Sequence, residues 1–507
     1  MKKSLTATAL ALILSAGAFA APALAEGKLT VSSPQDPGSW DPIDTIMVTW
    51  ASLATNIFEG LTYRGPDMKL VPGLATSWEE QEDGKRIRFH LREGVTFQNG
   101  EPFNAEAVKF SFERLLGEEG AKGPQQANYT AIEKVEVVDD LTVDFILKQP
   151  DPVLLTKLAG YGAMIVPPKY YAEVGDAEFN MKPIGTGPFK MLSYEPKVGV
   201  KMEAFADYWG GAPKLSELEY RFIAEPATAV AELQSGRVDL IIPPTIPIGM
   251  IPTIEADSDL AIVSTAGPTV TALRFNTRNG ITKDANVRKA LIMAVDRETI
   301  VSTILAGQAQ TIASFQGKDS FGYSADLKQL PYDPDAAKKL LDEAGVQSGA
   351  TVEITTRGND ATFNEVAQAV AAYLSVVGIN ATIKPYEANV LSNDIIPQGK
   401  TGEMFQQGWG GWTFDYDNTA YALYHSGQKW NPYDNDPEMD KMLEAQRPMT
   451  DRAKREKMLQ DIAAYAADHA LEMPLYNMNA LFAINKRVEG FVPAPDSRLK
   501  LNEVSVK

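Results

Sequence analysis

The segment TVEITTRGNDATFNEVAQAVAAYLSVVGINATIK, residues 351–384, decides the class of fold. Residues 351–356 alternate apolar and polar side chains, as a strand with one buried face does. Residues 364–377 then predict a helix, and residues 378–384 predict a second strand. A strand, a helix and a strand in that order predict a parallel βαβ unit, and therefore an α/β fold.

The rest of the chain predicts the same mixture of strands and helices. Asn104 is a suitable N-cap for a helix over 105–116. Two apolar runs separated by Asp139-Asp140 predict a β-hairpin, and residues 437–469 predict one long helical stretch. Because 507 residues exceed what one hydrophobic core supports, at least two lobes are expected, with a ligand in the cleft between them.

The N-terminus carries the pattern of an export signal. Lys2 and Lys3 precede an apolar stretch over residues 5–20, and Ala23-Leu24-Ala25 follows as a cleavage site. This order predicts a secretory signal peptide that is cleaved after Ala25. Since the cleavage point has no cysteine, a lipid anchor is not expected, and we expect a freely diffusing protein outside the cytoplasm.

Composition narrows the classes of function. The net charge is −18, so no general attraction to nucleic acid or to anionic lipid is expected. The chain has no cysteine, which excludes thiol catalysis and cysteine-ligated metals. Its three histidines, His90, His425 and His469, do not have metal-site spacing, so neither a metal site nor a cofactor is expected.

No familiar catalytic motif is present in the sequence. The chain lacks a Gly-Xaa-Ser-Xaa-Gly turn and a phosphate-binding loop. Gly185-Thr-Gly187-Pro188 begins like a dinucleotide-binding turn, but the third glycine is missing and the proline removes a backbone donor. These observations favour a binding protein over an enzyme, with a secreted hydrolase as a distant alternative.

One segment, GWGGWTFDYDN at 408–418, concentrates aromatic rings and carboxylates. A desolvated Asp415 beside Trp409, Trp412 and Tyr416 would hold an ammonium group by an ion pair and by cation–π attraction. The alternative is a hydrophobic loop packed under a helix.

A candidate for binding a negatively charged group at the other end of a ligand is Arg357, within the segment 355–360 that also contains Asn359. It directly follows a predicted strand, where ligand sites of α/β folds usually form, and arginine binds a carboxylate with two parallel hydrogen bonds. A solvated surface arginine is an equally good interpretation of the sequence alone.

Many stretches of this chain resemble, in the same order along the sequence, stretches of the extracytoplasmic solute-binding proteins of bacterial peptide and nickel ABC importers. This is the dipeptide- and oligopeptide-binding family. The resemblance covers essentially all of the chain after the signal peptide. The matching stretches include Asn56–Leu61, Pro72–Trp78, Phe89–Phe97, Asn99–Ala105, Pro183–Phe189, Leu233–Asp239 and Tyr332–Gly345.

The resemblance implies a two-lobed periplasmic binding protein fold with an extra packed domain, three structural regions in all. Lobe I would comprise residues 26–55, 183–268 and 473–507, the extra domain 56–182, and lobe II 269–472. The family further implies a monomeric periplasmic receptor that closes on a small peptide and docks on a permease with two ATPase subunits.

The resemblance also implies roles for individual residues. Gly411-Trp412-Thr-Phe-Asp415-Tyr416 matches the family motif whose aspartate holds the α-amino group of a peptide, with Trp412 as a wall. Arg357 falls in the region of the arginine that binds the peptide carboxylate. An amine-bearing non-peptide, such as an opine or a sugar–amino-acid conjugate, remains an alternative ligand. The predicted ligand-binding set is Asp415, Trp412, Trp409, Tyr416, Arg357, Asn359 and Trp40.

Overall fold

The computed structural model describes residues 27–507, so the predicted signal peptide lies outside the described residues. The strands are β1 (Lys28–Ser33), β2 (Thr62–Arg64), β3 (Leu70–Pro72), β4 (Ala75–Gln81), β5 (Arg86–Leu91), β6 (Ile132–Asp139), β7 (Thr142–Leu147), β8 (Phe189–Glu195), β9 (Gly199–Ala204), β10 (Glu217–Phe222), β11 (Leu240–Ile241), β12 (Leu260–Phe275), β13 (Ala309–Thr311), β14 (Ala350–Arg357), β15 (Ile379–Tyr386), β16 (Met404–Gly410), β17 (Glu472–Asn485), β18 (Val488–Glu489) and β19 (Ser505–Val506). The helices are α1 (Val48–Ala54), α2 (Ala105–Leu116), α3 (Leu154–Leu158), α4 (Pro168–Phe179), α5 (Pro226–Gln234), α6 (Ile251–Glu255), α7 (Ala285–Met293), α8 (Arg297–Thr303), α9 (Pro334–Glu343), α10 (Ala361–Val376), α11 (Ala388–Val390), α12 (Tyr416–Tyr424), α13 (Pro437–Gln446) and α14 (Arg452–Asp468).

One large mixed sheet runs through the molecule in the order β15-β14-β16-β12-β17-β11-β1-β10-β9-β8. Its two long central strands, β12 and β17, are antiparallel and have 16 and 14 residues. Their pairing is irregular between Ala266 and Val270, where Gly267-Pro268 interrupts the ladder. Two halves of the sheet are therefore joined through these two strands, and the predicted boundary at residue 268 falls in the irregular stretch.

A second sheet of four antiparallel strands, in the order β4-β5-β7-β6, forms a separate layer with α2 packed on it. Phe145 lies at its centre, with its ring centroid 5.1 Å from that of Phe89 and 4.7 Å from that of Phe112. These edge-to-face contacts join the sheet to the helix in one apolar core. This layer falls within residues 56–182, the predicted extra domain, whose bounds stay a prediction.

Two further cores flank the long strands. One contains Val31, Trp50, Tyr220 and Phe482, and is built on β1, β10 and the C-terminal half of β17. The other is built on β14, β16, α7 and α10. These two cores define lobe I and lobe II, respectively.

Several sequence predictions are confirmed by the structure. β14 and β15 pair in parallel with α10 between them, as the opening segment predicts. Asn104 caps α2 by accepting a hydrogen bond from the amide of Ala107 at 3.1 Å.

The prediction of one helical stretch over 437–469 is wrong. The chain forms α13 and α14 instead, separated by residues 447–451. Pro448 has no amide hydrogen and restricts the residue before it, which ends the first helix. Asp451 then starts the second helix by accepting from the amide of Lys454 at 3.1 Å. Among residues 27–507, no helix has the length and apolar character needed to cross a bilayer.

Candidate ligand site

The aromatic segment lies where lobe II meets residues 56–182. Residues 411–415 connect β16 to α12, so the loop begins at the end of a strand of the large sheet. The ring of Trp412 reaches across and packs edge-to-face on Tyr161, with centroids 5.9 Å apart. Gly160 makes room for this ring, because a Cβ at that position would lie 2.4 Å from Cζ3 of Trp412.

Asp415 is buried and already has a cationic partner. Its two carboxylate oxygens accept hydrogen bonds from Arg455 of α14 at 2.6 and 2.8 Å, and only 4% of Asp415 is exposed. The same carboxylate caps α12 by accepting from the amide of Asp417 at 3.0 Å. Burial lowers the pKa of Arg455, but the hydrogen bonds with Asp415 outweigh it, so that this pKa is raised and the guanidinium stays charged.

This pairing bears on the predicted amine anchor. An incoming ammonium group would have to share the Asp415 carboxylate with a buried guanidinium. The role of Asp415 as amine anchor therefore stays a prediction, and its visible role is to hold the loop onto lobe II.

A second arginine fixes the same loop from the extra domain. Arg64, at the end of β2, donates from Nη2 to the carbonyl of Thr413 at 3.1 Å. Its guanidinium also lies 5.4 Å from the ring centroid of Phe414. Phe414 has φ = 52°, a left-handed conformation that non-glycine residues rarely adopt and that needs surrounding contacts to persist.

Arg357 and Trp409 meet at a small cavity of about 120 Å³ at the edge of the lobe II sheet. Gln406 lies beside them, and its Oε1 accepts from the hydroxyl of Thr356 at 2.9 Å, which turns the amide NH₂ away from that bond. Nε2 of Gln406 and Nε1 of Trp409 are buried and have no hydrogen-bond partner within residues 27–507. The residues around the cavity are Arg357, Leu391, Ser392, Ile396, Gln406, Gln407, Gly408, Trp409 and Trp430.

The charge balance of this small cavity favours an anion. No aspartate or glutamate of the described chain lines it. The Arg357 guanidinium lies 4.9 Å from the ring centroid of Phe363 and makes no ion pair with any described carboxylate. A guanidinium and two N–H donors without acceptors are what a bound carboxylate would satisfy.

A larger cavity of about 860 Å³ lies between the extra domain and lobe II. Its charged groups are mostly paired with each other: Lys157 with Asp151 at 2.7 Å, and Arg447 with Asp417 at 3.0 Å. This volume falls in the range of small-molecule sites. The charged groups that line this larger cavity, however, do not offer a set of unpaired donors comparable with that at the small cavity.

Of the predicted set, only Arg357 and Trp409 line one of these two cavities; Asp415, Trp412, Tyr416, Asn359 and Trp40 line neither. Trp40 is fully buried in the lobe I core, edge-to-face with Tyr194 at 5.5 Å. Tyr416 is 1% exposed and packs inside lobe II. Asn359 is exposed and lines none of the cavities described here. The rings of Trp40 and Tyr416 pack in the cores of lobe I and lobe II, and a role of either residue in ligand binding stays a prediction.

The sequence prediction missed Arg455, Arg64 and Gln406. A signal for Arg455 existed, since it lies four and seven residues before Leu459 and Ile462 on the buried face of α14. A charged residue on an apolar helix face requires a buried partner. The partner, 40 residues away, could not be identified from the pattern.

The fold and the cleft define a two-lobed solute-binding protein, and comparisons with known proteins agree. The model of the bacterial extracellular solute-binding proteins, family 5, matches residues 69–431, and the chain belongs to this family.

Relatives of known name cover nearly the whole chain. The glutathione-binding protein GsiB of Pectobacterium atrosepticum is 28% identical over 478 residues, which are 92% of each chain. The dipeptide-binding protein of Escherichia coli K12 is 27% identical, over 87% of this chain and 86% of that protein. A solved structure of AgaA from A. tumefaciens R10, in complex with agropinic acid, is 27% identical with a TM-score of 0.72, over 95% of this chain and 99% of that one. The α/β two-lobed fold is confirmed.

Proposed function

We propose that this chain is the extracytoplasmic receptor of an ABC importer that captures small peptides between its lobes and delivers them to a membrane permease. Membership of the solute-binding family supports the receptor role. Relatives named for binding glutathione and dipeptides support a peptide of two or three residues as the ligand.

The observation that carries the proposal is the small cavity at Arg357, which no aspartate or glutamate of the described chain lines. There, Arg357 holds the peptide carboxylate, while Nε2 of Gln406 and Nε1 of Trp409 supply two further hydrogen bonds. Hydrogen bonds to a charged group contribute about 1.5–3 kcal/mol each, so this end of the ligand supplies much of the affinity. Trp430, edge-to-face with Trp409 at 5.6 Å, keeps the indole in place.

A second candidate keeps the import role and changes the ligand to an acidic non-peptide. The complex of AgaA with agropinic acid favours it, because the ligand named for that relative is an acid. The pairing of Asp415 with Arg455 also fits a ligand that needs no amine anchor. Both candidate ligands carry a carboxylate for Arg357 and differ in the group at their other end.

The same proposal includes location and partners. The protein acts in the periplasm after cleavage behind Ala25, as a monomer, and its closed form docks on a permease that two ATPase subunits drive. It performs no catalysis and uses no cofactor. Turnover of a bound peptide by the purified protein would contradict this part of the proposal.

The test compares ligands that differ at one end. Isothermal titration of residues 26–507 uses a dipeptide with free ends, its C-terminal amide and its N-acetyl form. The amide should bind at least tenfold more weakly, because it no longer offers a charged acceptor to Arg357. Equal affinity of the acid and the amide would contradict the carboxylate site.

The variant Arg357→Met removes the charge and keeps much of the aliphatic length. It should weaken binding of the free dipeptide at least tenfold and should no longer distinguish acid from amide. Arg278→Met, at an exposed arginine of the same lobe, is the matched control and should bind as the wild type does.

A further inference from the structure

One edge of the Arg498 guanidinium meets no acceptor of the described chain. Nη1 of this arginine donates to Oδ2 of Asp496 at 2.8 Å. Nε and Nη2 are buried and have no hydrogen-bond partner within residues 27–507, and only 10% of the side chain is exposed. Because buried N–H groups normally have an acceptor, these two indicate a group that the chain itself does not supply.

Nε and Nη2 share the edge of a guanidinium that binds a carboxylate with two parallel hydrogen bonds. Two other arginines of this protein use the edge in this way. Arg88 donates from these atoms to Asp144 at 2.7 and 2.8 Å. Arg447 donates from them to Asp417 at 3.0 and 3.1 Å. The same edge of Arg498 therefore has the donor geometry that a carboxylate needs.

The buried charge around Arg498 is positive. Arg64 and Arg498 share one carboxylate, that of Asp496, at 3.5 and 2.8 Å. Burial alone would raise the pKa of Asp496, but the two guanidiniums outweigh it and lower this pKa, so the group is ionised. Burial and the neighbouring Arg498 lower the pKa of Arg64 to about 10, which leaves it charged at neutral pH. Two cations against one anion leave a positive charge that a bound anion would neutralise.

Arg498 forms part of the wall of a third cavity, of about 30 Å³. One water needs about 10–15 Å³ of such space, so the cavity has room for roughly two waters or for one carboxylate group. Of the described residues on its wall, Glu59 is the one with a carboxylate, which already accepts from Tyr208 at 2.8 Å and from Trp209 at 2.6 Å. The side chain of Lys500, also on the wall, is 31% exposed, which gives a small anion a route from solvent.

We propose that Arg498 binds a small carboxylate in this cavity, as an anion site separate from Arg357. Nε and Nη2 each donate to one oxygen of the anion, and the positive charge shared with Arg64 attracts it. The carboxylate comes either from a free anion in solution or from a second acidic group of an imported ligand. Because acetate is tested without any peptide, the site does not depend on the proposed function.

The test titrates sodium acetate into residues 26–507 without peptide at pH 7 and follows the midpoint of thermal unfolding. Acetate should raise the midpoint to a plateau, as a ligand of the folded protein does, whereas neutral acetamide should not. Sodium chloride, the control for ionic strength, should raise it less, because chloride lacks the two separate oxygens. An equal rise with chloride or with acetamide would overturn the proposal.

Arg498→Lys keeps the positive charge and removes the two-donor edge. The acetate concentration that gives half of the effect should therefore rise at least tenfold. Arg237→Lys is the matched control, because the same edge of this exposed arginine is already paired with Glu232, at 2.9 and 3.0 Å. It should respond to acetate as the wild type does. A folded Arg498→Lys protein with the wild-type response would overturn the proposal.

A crystal structure of the wild type with acetate decides the question if Arg498→Lys does not fold. The expected result is a planar acetate within hydrogen-bond distance of Nε and Nη2 of Arg498. Water alone at this edge, at an acetate concentration on the plateau, would overturn the proposal. Competition between acetate and glutathione would assign the carboxylate to an imported ligand, and simultaneous binding would assign it to a free anion.

Discussion

Replacing Asp415 by asparagine separates a structural role of this residue from a ligand-binding role. The change removes one charge from a pair in which Asp415 and Arg455 are 4% and 2% exposed and share hydrogen bonds of 2.6 and 2.8 Å. Removing one partner of such a buried pair costs about 3–5 kcal/mol, because the other charge is left uncompensated. Asparagine still caps a helix, so the loss of the cap adds little.

The assay is urea unfolding of ligand-free protein, followed through the unfolding midpoint. Asp415→Asn should lower the free energy of unfolding by about 3 kcal/mol. Asp461→Asn, which removes an exposed carboxylate paired with Lys457 within α14, is the control and should change it by about 0.5 kcal/mol at most.

One result would contradict a purely structural role of Asp415. If Asp415→Asn unfolded with wild-type stability but lost affinity for free-amine peptides and not for N-acetylated ones, Asp415 would be the amine anchor. The pairing with Arg455 would then be a feature of the ligand-free protein alone.

Two further predictions concern groups outside the loop. Gly160→Ala places a Cβ 2.4 Å from the Trp412 ring, so the indole should leave its seat, and its fluorescence should become easier to quench with acrylamide; unchanged quenching would refute the contact. Burial raises the pKa of Glu472 to about 7 from its ordinary 4.5, so folded protein binds this proton more tightly than unfolded protein. The resulting stability is complete below pH 4.5 and is lost as pH rises through about 7. Over that window Glu472→Gln should lose about 3 kcal/mol less stability than the wild type. Parallel pH profiles of the two proteins in urea unfolding would contradict this expectation.

The sequence predicted the architecture well because the relevant signals are local. Alternation over 351–356, helical spacing over 364–377 and the cap at Asn104 each depend on neighbouring residues, and the structure confirms them. The break at Pro448 was also a local signal, although the predicted long helix overlooked it.

The site was harder to predict because its contacts join distant segments. Asp415 and Arg455 are 40 residues apart, and Arg64 reaches Thr413 across 349 residues. An aromatic residue beside a carboxylate has the same sequence pattern whether it faces a ligand or a core, so the sequence could not indicate that Tyr416 packs in a core. Arg357 and Trp409 lie at the C-terminal ends of the parallel strands β14 and β16, so their meeting at one cavity was accessible from topology.

Calorimetric titration of ligand-stripped residues 26–507 with glutathione and with a dipeptide tests whether this chain is a receptor for small peptides. We expect saturable binding of at least one of them, with one ligand per protein, and loss of this binding in Arg357→Met. An absence of binding to both peptides, or binding that Arg357→Met leaves intact, would contradict it.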